Sequence, residues 1–322
     1  MRVLTWHVHG NYLYYLTQSE HEFFLPVTAD REHPYGGRGD SFPFGPNVQE
    51  IPVEAVRSSD FDAILYQSQA NFEDRDRIGV DASIPAIVLE HDPPRESPTD
   101  TRHWAGDEDV TLVHVTNFNA LMWDNGDSPV RVIEHGVLVP PDVRYSGEIP
   151  RGLVAVNNIV SRGRRLGFDI YERLRQEVPL DLVGMGSEEA GGLGEVSPMQ
   201  FLEFASRYRF FFNPIRYTSL GLAVCEAMAI GMPVVGLATT EMATAITNGV
   251  NGYVDTSPEA LISHMRRLVD DPEEARRLSE NAREYAATRF GIERFKTDWD
   301  SVFNDAVLRR PAHTAAVAGA RS

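Results

Sequence analysis

Short apolar runs alternate with segments of helical period along the whole chain. In the first half, residues 3–8, 22–27, 63–67, 86–90, 111–115 and 130–134 have the length and composition of strands buried on both faces of a mostly parallel sheet. Between them only 11–18 clearly reads as a helix, and the glycine- and proline-rich 30–47 reads as a loop. The segment 139–150, VPPDVRYSGEIP, has three prolines and no period, so it reads as a linker. Beyond it the alternation restarts: strand 152–156, helix 167–177, strand 180–183, helix 198–207 and a strand closed by Phe211 and Phe212. Next come a helix over 220–230 capped by Ser219, a strand at 233–239, a helix over 240–247 and a strand at 252–256. Helices follow at 258–270, 272–289 and 292–308, the last with Phe295, Trp299 and Phe303 on one stripe that must pack on something. The pattern predicts an α/β chain with two domains, 1–145 and 150–295, and an Ala/Gly-rich tail at 310–322 that reads as disordered.

The chemistry concentrates between residues 211 and 254. Asn213 and Pro214 break the strand, and a helix starts near residue 220, so a helix N-terminus faces a strand end. There free amides and the positive end of the helix dipole attract anions. Gly221 lets a ligand approach the backbone. Glu226, about two turns on in an apolar helix, needs a partner such as a pair of ligand hydroxyls.

Gly221, Leu222, Glu226, Ala227, Met228, Gly231, Pro233, Val234 and Val235 resemble, in identity and spacing, the signature of the GT-B glycosyltransferases, specifically the retaining family 4. That signature has two glutamates with seven residues between them, and here Thr218 stands where the first belongs. The resemblance implies two Rossmann-like domains facing a cleft, with the terminal helix, about 296–309, returning to the N-terminal, acceptor-side domain. It implies a metal-independent transfer, with retention, from a UDP- or GDP-sugar to a small-molecule, saccharide or lipid-linked acceptor. Carried over, Ser219, Leu220, Gly221 and Leu222 hold the diphosphate, Glu226 binds the ribose, and Thr218 is a shortened, neutral sugar contact. His91, at a strand end in AIVLEHDPP, matches the family's cleft histidine beside the donor sugar, and Gly10 occupies the place of its first glycine loop. Arg162 and Arg165, favoured over Arg164, are the cations for the diphosphate, although Leu166 stands at the usual lysine position. Gly184 and Gly186 match a turn close to the nucleotide base. The loop at 30–47 and Tyr12, Tyr14 and Tyr15 are expected to border an acceptor pocket. Thr218 also suits two alternatives: a phosphorylase or pseudo-glycosidic coupling enzyme of the same fold, and a noncatalytic sugar-nucleotide-binding protein.

Composition narrows the partners. The chain has 322 residues, 42% of them apolar, which suits two cores of ordinary size. A formal charge of −17 disfavours nucleic acid and anionic membrane surfaces. The lone Cys225 excludes an internal disulfide, and no apolar run approaches the roughly 20 residues that span a bilayer. A cytoplasmic protein without an integral membrane segment is expected. His7 and His9 fall on one face of the first predicted strand, yet two ligands do not make a metal site. The Asp-x-Asp triplets at Asp60, Asp74, Asp107 and Asp298 do not follow strands, and the extra glycine of a dinucleotide fingerprint is replaced by Glu189. Neither a metal nor a hydride-transfer cofactor is expected.

Overall fold

The computed structural model describes residues 1–106 and 108–309; the predicted disordered tail lies outside them. Two all-parallel sheets organise the chain. The first contains β1 (Arg2–Thr5), β2 (Glu22–Val27), β3 (Val48–Pro52), β4 (Ala63–Tyr66), β5 (Ala86–Glu90), β6 (Val110–His114) and β7 (Val130–Val132). Their spatial order is β3-β2-β1-β4-β5-β6-β7, so the direction of winding reverses between β1 and β4. The second contains β8 (Ile149–Ala155), β9 (Leu180–Val183), β10 (Tyr208–Asn213), β11 (Val234–Leu237) and β12 (Gly252–Asp255), in the order β12-β11-β10-β8-β9, with its reversal between β8 and β10. Crevices at such reversals, outside the carboxyl ends of the strands, are where open α/β sheets bind ligands. The fold is GT-B.

Several local expectations change. Strand β3 is absent from the hydrophobic reading because it is an edge strand, with exposed Gln49 and Pro52 and only Val48 and Ile51 buried. Strand β8 begins at Ile149, inside the expected linker: Ile149 pairs with Tyr208, and Pro150 precedes the first β9 pair at Gly152 and Leu180, so its missing N–H breaks no bond on that side. Strand β1 ends at Thr5, before the histidines, so His7 and His9 diverge. His7 Nδ1 lies 3.0 Å from the Gly37 carbonyl, whereas the His9 ring meets His91.

The helix of the signature runs Leu222–Ile230, two residues later than expected. Gly221 is its N-cap through backbone alone, and Ser219 makes no capping bond. At the other end Gly231 takes the left-handed conformation, φ +93°, that closes such helices. The helix expected over 240–247 shrinks to Met242–Ala245, after Thr240 turns to φ +51°.

The two halves are tied together around the cleft. The terminal helix Ile292–Leu308 lays Phe295 and Trp299 against Tyr12 of the first helix, Gly10–Leu16, and Trp299 Nε1 donates to the Tyr12 hydroxyl at 3.1 Å. Arg289 bridges Glu134 and Glu241, and the Phe118 amide donates to Glu241 Oε2 at 3.0 Å. Among the described residues no helix is long and apolar enough to cross a membrane.

Candidate active site

The carboxyl ends of β1, β5, β8, β9 and β10 converge on a cavity of about 500 Å³ lined by both halves of the chain. Its floor is the start of the helix Leu222–Ile230. The amides of Leu222 and Ala223, in the first turn, donate to no protein acceptor among the described residues. Gly221 has an ordinary φ of −64°, and a Cβ built there would meet nothing within 4 Å. Neither backbone strain nor packing demands a glycine at this position; its effect is to leave the helix end bare. Arg162 lines the same space, and among the described residues it forms no ion pair. Burial and the nearby Arg165 hold its guanidinium below the ordinary value, with Asp92 opposing them. An uncompensated cation beside a bare helix N-terminus is a site for an anion.

Two turns further, Glu226 is 3% exposed and borders the cavity. Its Oε1 accepts hydrogen bonds from the Tyr15 hydroxyl at 2.8 Å and from Asn11 Nδ2 at 3.0 Å. Its Oε2 has no protein partner among the described residues. Burial raises the carboxyl to about 7, while the bonds from Tyr15 and Asn11 pull it back toward the ionised form.

This shift has a pH signature. Near pH 6 the folded protein retains a proton on Glu226 that an unfolded chain, titrating near 4.5, has already released. The associated stability is fully present below about 4.5 and is lost as pH rises through about 7. The melting temperature of Glu226→Gln should therefore fall less between pH 5 and 8 than that of the parent. Superimposable pH profiles would show that Glu226 does not titrate in this range.

Above the floor stands a cluster of rings from strand ends. His91 follows β5, His9 follows β1 and His135 follows β7. The His91 ring lies 4.1 Å from that of His9 and 4.9 Å from that of Tyr12, centroid to centroid. His135 Nε2 donates to the Leu220 carbonyl at 3.0 Å, tying the cluster to the segment before the helix. His91 Nε2 is buried without a hydrogen-bond partner. Burial, reinforced by His9 and His135, keeps the His91 imidazole well below its usual value, and burial lowers His135 to about 4. The cluster is neutral at physiological pH and offers hydrogen bonds rather than charge.

At the far end Gly184 turns the chain after β9 with φ +127°, and a Cβ there would press to 2.8 Å from the Val156 carbonyl and Asn157 Oδ1. Asn157 Oδ1 accepts the Met185 amide at 2.9 Å, and Val196, Pro198 and Phe201 form an apolar wall suited to a planar base.

The structure thus brings His91, Glu226, Gly10, Arg162, Gly184, Ser219, Leu220, Gly221 and Leu222 to one cavity. Arg165, Gly186 and Thr218 do not line it. The Arg165 carbonyl receives the amides of Arg216 and Tyr217. Gly186, at φ +67°, starts a short turn against Asn158. The Thr218 hydroxyl donates to Asp92 Oδ1 at 3.1 Å, across to the other half. The missing side chain of Gly10 makes room for the ring of Phe42, 2.3 Å from a Cβ built there. Sequence reasoning missed Asn11, the bonding role of Tyr15, and His135. The last was detectable as a histidine immediately after a predicted strand; the first two carried no local signal.

Residues 186–285 match the sequence model of the family described as glycosyl transferases group 1. No curated protein sequence matches the chain significantly. Among solved structures, HepE from Anabaena in complex with UDP-glucose aligns with a TM-score of 0.68 at 14% identity, covering 95% of this chain and 100% of that one. Sucrose-phosphate synthase from Thermosynechococcus elongatus gives 0.67 at 14% identity, over 95% and 98% of the two chains. A TarM variant from S. aureus in complex with UDP gives 0.60 at 13% identity, over 75% of this chain and 55% of TarM, so the present chain matches little more than half of that protein. Residues 186–285 are thus similar to the glycosyl transferases group 1 family, and the chain as a whole shares the GT-B fold of these structures.

Proposed function

We propose that the protein moves a sugar from a nucleoside-diphosphate donor to an acceptor hydroxyl, with retention at the anomeric carbon and without a metal ion. The observation that carries this reading is the conjunction at one helix: a bare N-terminus at Gly221 with unused amides, an unpaired Arg162 beside it, and a buried carboxyl with one free oxygen two turns on. The diphosphate takes the amides and the guanidinium, which also offset the charge that grows on the leaving group. The ribose hydroxyls take Glu226, and the base rests against Gly184 and Phe201. As the bond from the anomeric carbon to the diphosphate oxygen breaks, the acceptor oxygen bonds to that carbon on the same face. The acceptor proton passes to the departing diphosphate. The protein positions and neutralises rather than supplying a nucleophile.

Asp92 bears on the departure at Thr218. A glutamate at 218 would set a second carboxylate toward Asp92, whereas threonine gives Asp92 a donor. In this reading Asp92, at the cavity wall in the N-terminal half and also paired with Arg95, stands in for that carboxylate toward the donor sugar's hydroxyls.

HepE and TarM were solved with UDP-glucose and UDP, which makes a uridine donor the first to test. UDP or GDP at 100 times its dissociation constant should stabilise the folded chain by about 2.7 kcal/mol, read as a rise in melting temperature. Turnover should release that nucleoside diphosphate, with no requirement for inorganic phosphate and no loss in EDTA. No shift with any nucleoside diphosphate would overturn the reading; strict phosphate dependence would replace it with phosphorolysis.

A further inference from the structure

Beside the donor cleft lies a second cavity, of about 690 Å³, lined only by the N-terminal half. It opens outside the carboxyl ends of β1, β4 and β5, where the larger sheet reverses its winding, and shares His9, His91, Asp92 and Arg95 with the first. Its polar lining is dominated by hydrogen-bond acceptors. Gln67 is 3% exposed; its Nε2 donates to the Trp6 carbonyl at 2.6 Å and the Thr5 hydroxyl at 3.0 Å, which leaves Oε1 buried without a partner. An acceptor in that state is costly unless something entering the cavity supplies a donor. Glu90, Asp92, Glu96 and Asp100 line the same space against one arginine, Arg95, already paired with Asp92. The carboxylates of Glu96 and Asp100 have no hydrogen bond or ion pair among the described residues. Trp104 and Trp123 complete the wall, whereas Tyr12, Tyr14, Tyr15 and the loop at 30–47, expected at an acceptor pocket, do not line it.

We propose that this cavity receives the acceptor, and that the acceptor is a polyhydroxylated ring bearing an ammonium group, an amino sugar or aminocyclitol. This rests on the glycosyl-transfer reading of the adjoining cleft. Hydroxyl and ammonium donors satisfy Gln67 Oε1 and the free carboxylates. The indoles accept the C–H face of such a ring and attract a cation. A phosphorylated or carboxylated acceptor would meet the unpaired carboxylates of Glu96 and Asp100, while the one arginine is already paired with Asp92. The reacting hydroxyl then lies near His91, which lines both cavities and whose Nε2 is buried without a partner among the described residues.

The test uses the full chain and three probes that share one ring and differ in charge: glucosamine, N-acetylglucosamine and glucosamine 6-phosphate. Dissociation constants are measured by ligand-observed NMR, with and without saturating UDP or GDP, on the parent and on the double variant Glu96→Gln/Asp100→Asn. Glucosamine should bind at least tenfold more tightly than the acetylated form, and the phosphate not measurably. The double variant should lose at least fivefold for glucosamine while keeping its nucleotide affinity, which also reports that it is folded. Equal or tighter binding of the phosphate, no glucosamine binding, or glucosamine binding indifferent to the double variant would each overturn the proposal. If nucleotides bind and glucosamine does not, this inference falls alone. If the glucosamine series holds and no nucleotide binds, the cation-selective cavity stands and the donor reading falls.

Discussion

Glu226→Ala is expected to weaken nucleoside diphosphate binding by about 100-fold. A hydrogen bond to a charged group contributes about 1.5–3 kcal/mol, and every 1.4 kcal/mol is tenfold in affinity, so a ribose losing its bond to the free oxygen of Glu226 gives an effect of this size. The ligand's hydroxyls favour the ionised carboxylate, whereas in the free protein burial outweighs the Tyr15 and Asn11 bonds and holds the carboxyl up at about 7, so binding to the parent near neutrality should release a proton. Calorimetry in two buffers of different ionisation enthalpy reads affinity and proton release together; the alanine variant should lose both. Because Oε1 also holds Tyr15 and Asn11 of the N-terminal half, a second variant is needed. Tyr15→Phe removes a protein partner and leaves the carboxylate, so it should retain most of the affinity. Full affinity in Glu226→Ala would remove the ribose assignment. Equal losses in the two variants would make Glu226 a latch between the halves rather than a ligand contact.

His91→Ala is expected to lower kcat by about 100-fold while changing nucleoside diphosphate affinity little. The imidazole lies against the rings of His9 and Tyr12, lines both cavities, and keeps a buried Nε2 without a partner among the described residues. A preorganised hydrogen bond of this kind, strengthened as charge develops on the sugar in a water-poor site, is worth roughly 10²–10³ in rate. Burial holds His91 well below its usual value, so turnover should show no step near pH 6.5 attributable to it. Steady-state kinetics of donor turnover, paired with calorimetry of the nucleotide, separate the alternatives. A raised KM with unchanged kcat would make His91 a ground-state contact, and a loss of nucleotide affinity would move it to the diphosphate.

The alternation of runs and periods located the two sheets because strands buried on both faces must be apolar along their length. The same logic hid β3, whose exposed edge requires no such run. The helix end at Gly221 was legible because the strand break before it and the glycine beyond its far end are local signals. Its cap was misplaced by two residues, since Ser219 and Gly221 are both acceptable caps and only packing selects between them.

Sequence alone established the parallel α/β architecture, the glycine-marked helix terminus and the buried carboxyl at 226, because each follows from the conformational and solvation preferences of residues close in the chain. Only the tertiary structure decided what those groups face. Asn11 and Tyr15 reach Glu226 from more than 200 positions away, Asp92 supplies the partner of Thr218, and Gln67, at the wall of a second cavity, keeps a buried oxygen without a partner. These contacts arise where strand ends from separate sheets meet across a cleft, and no local period encodes which side chains come together there.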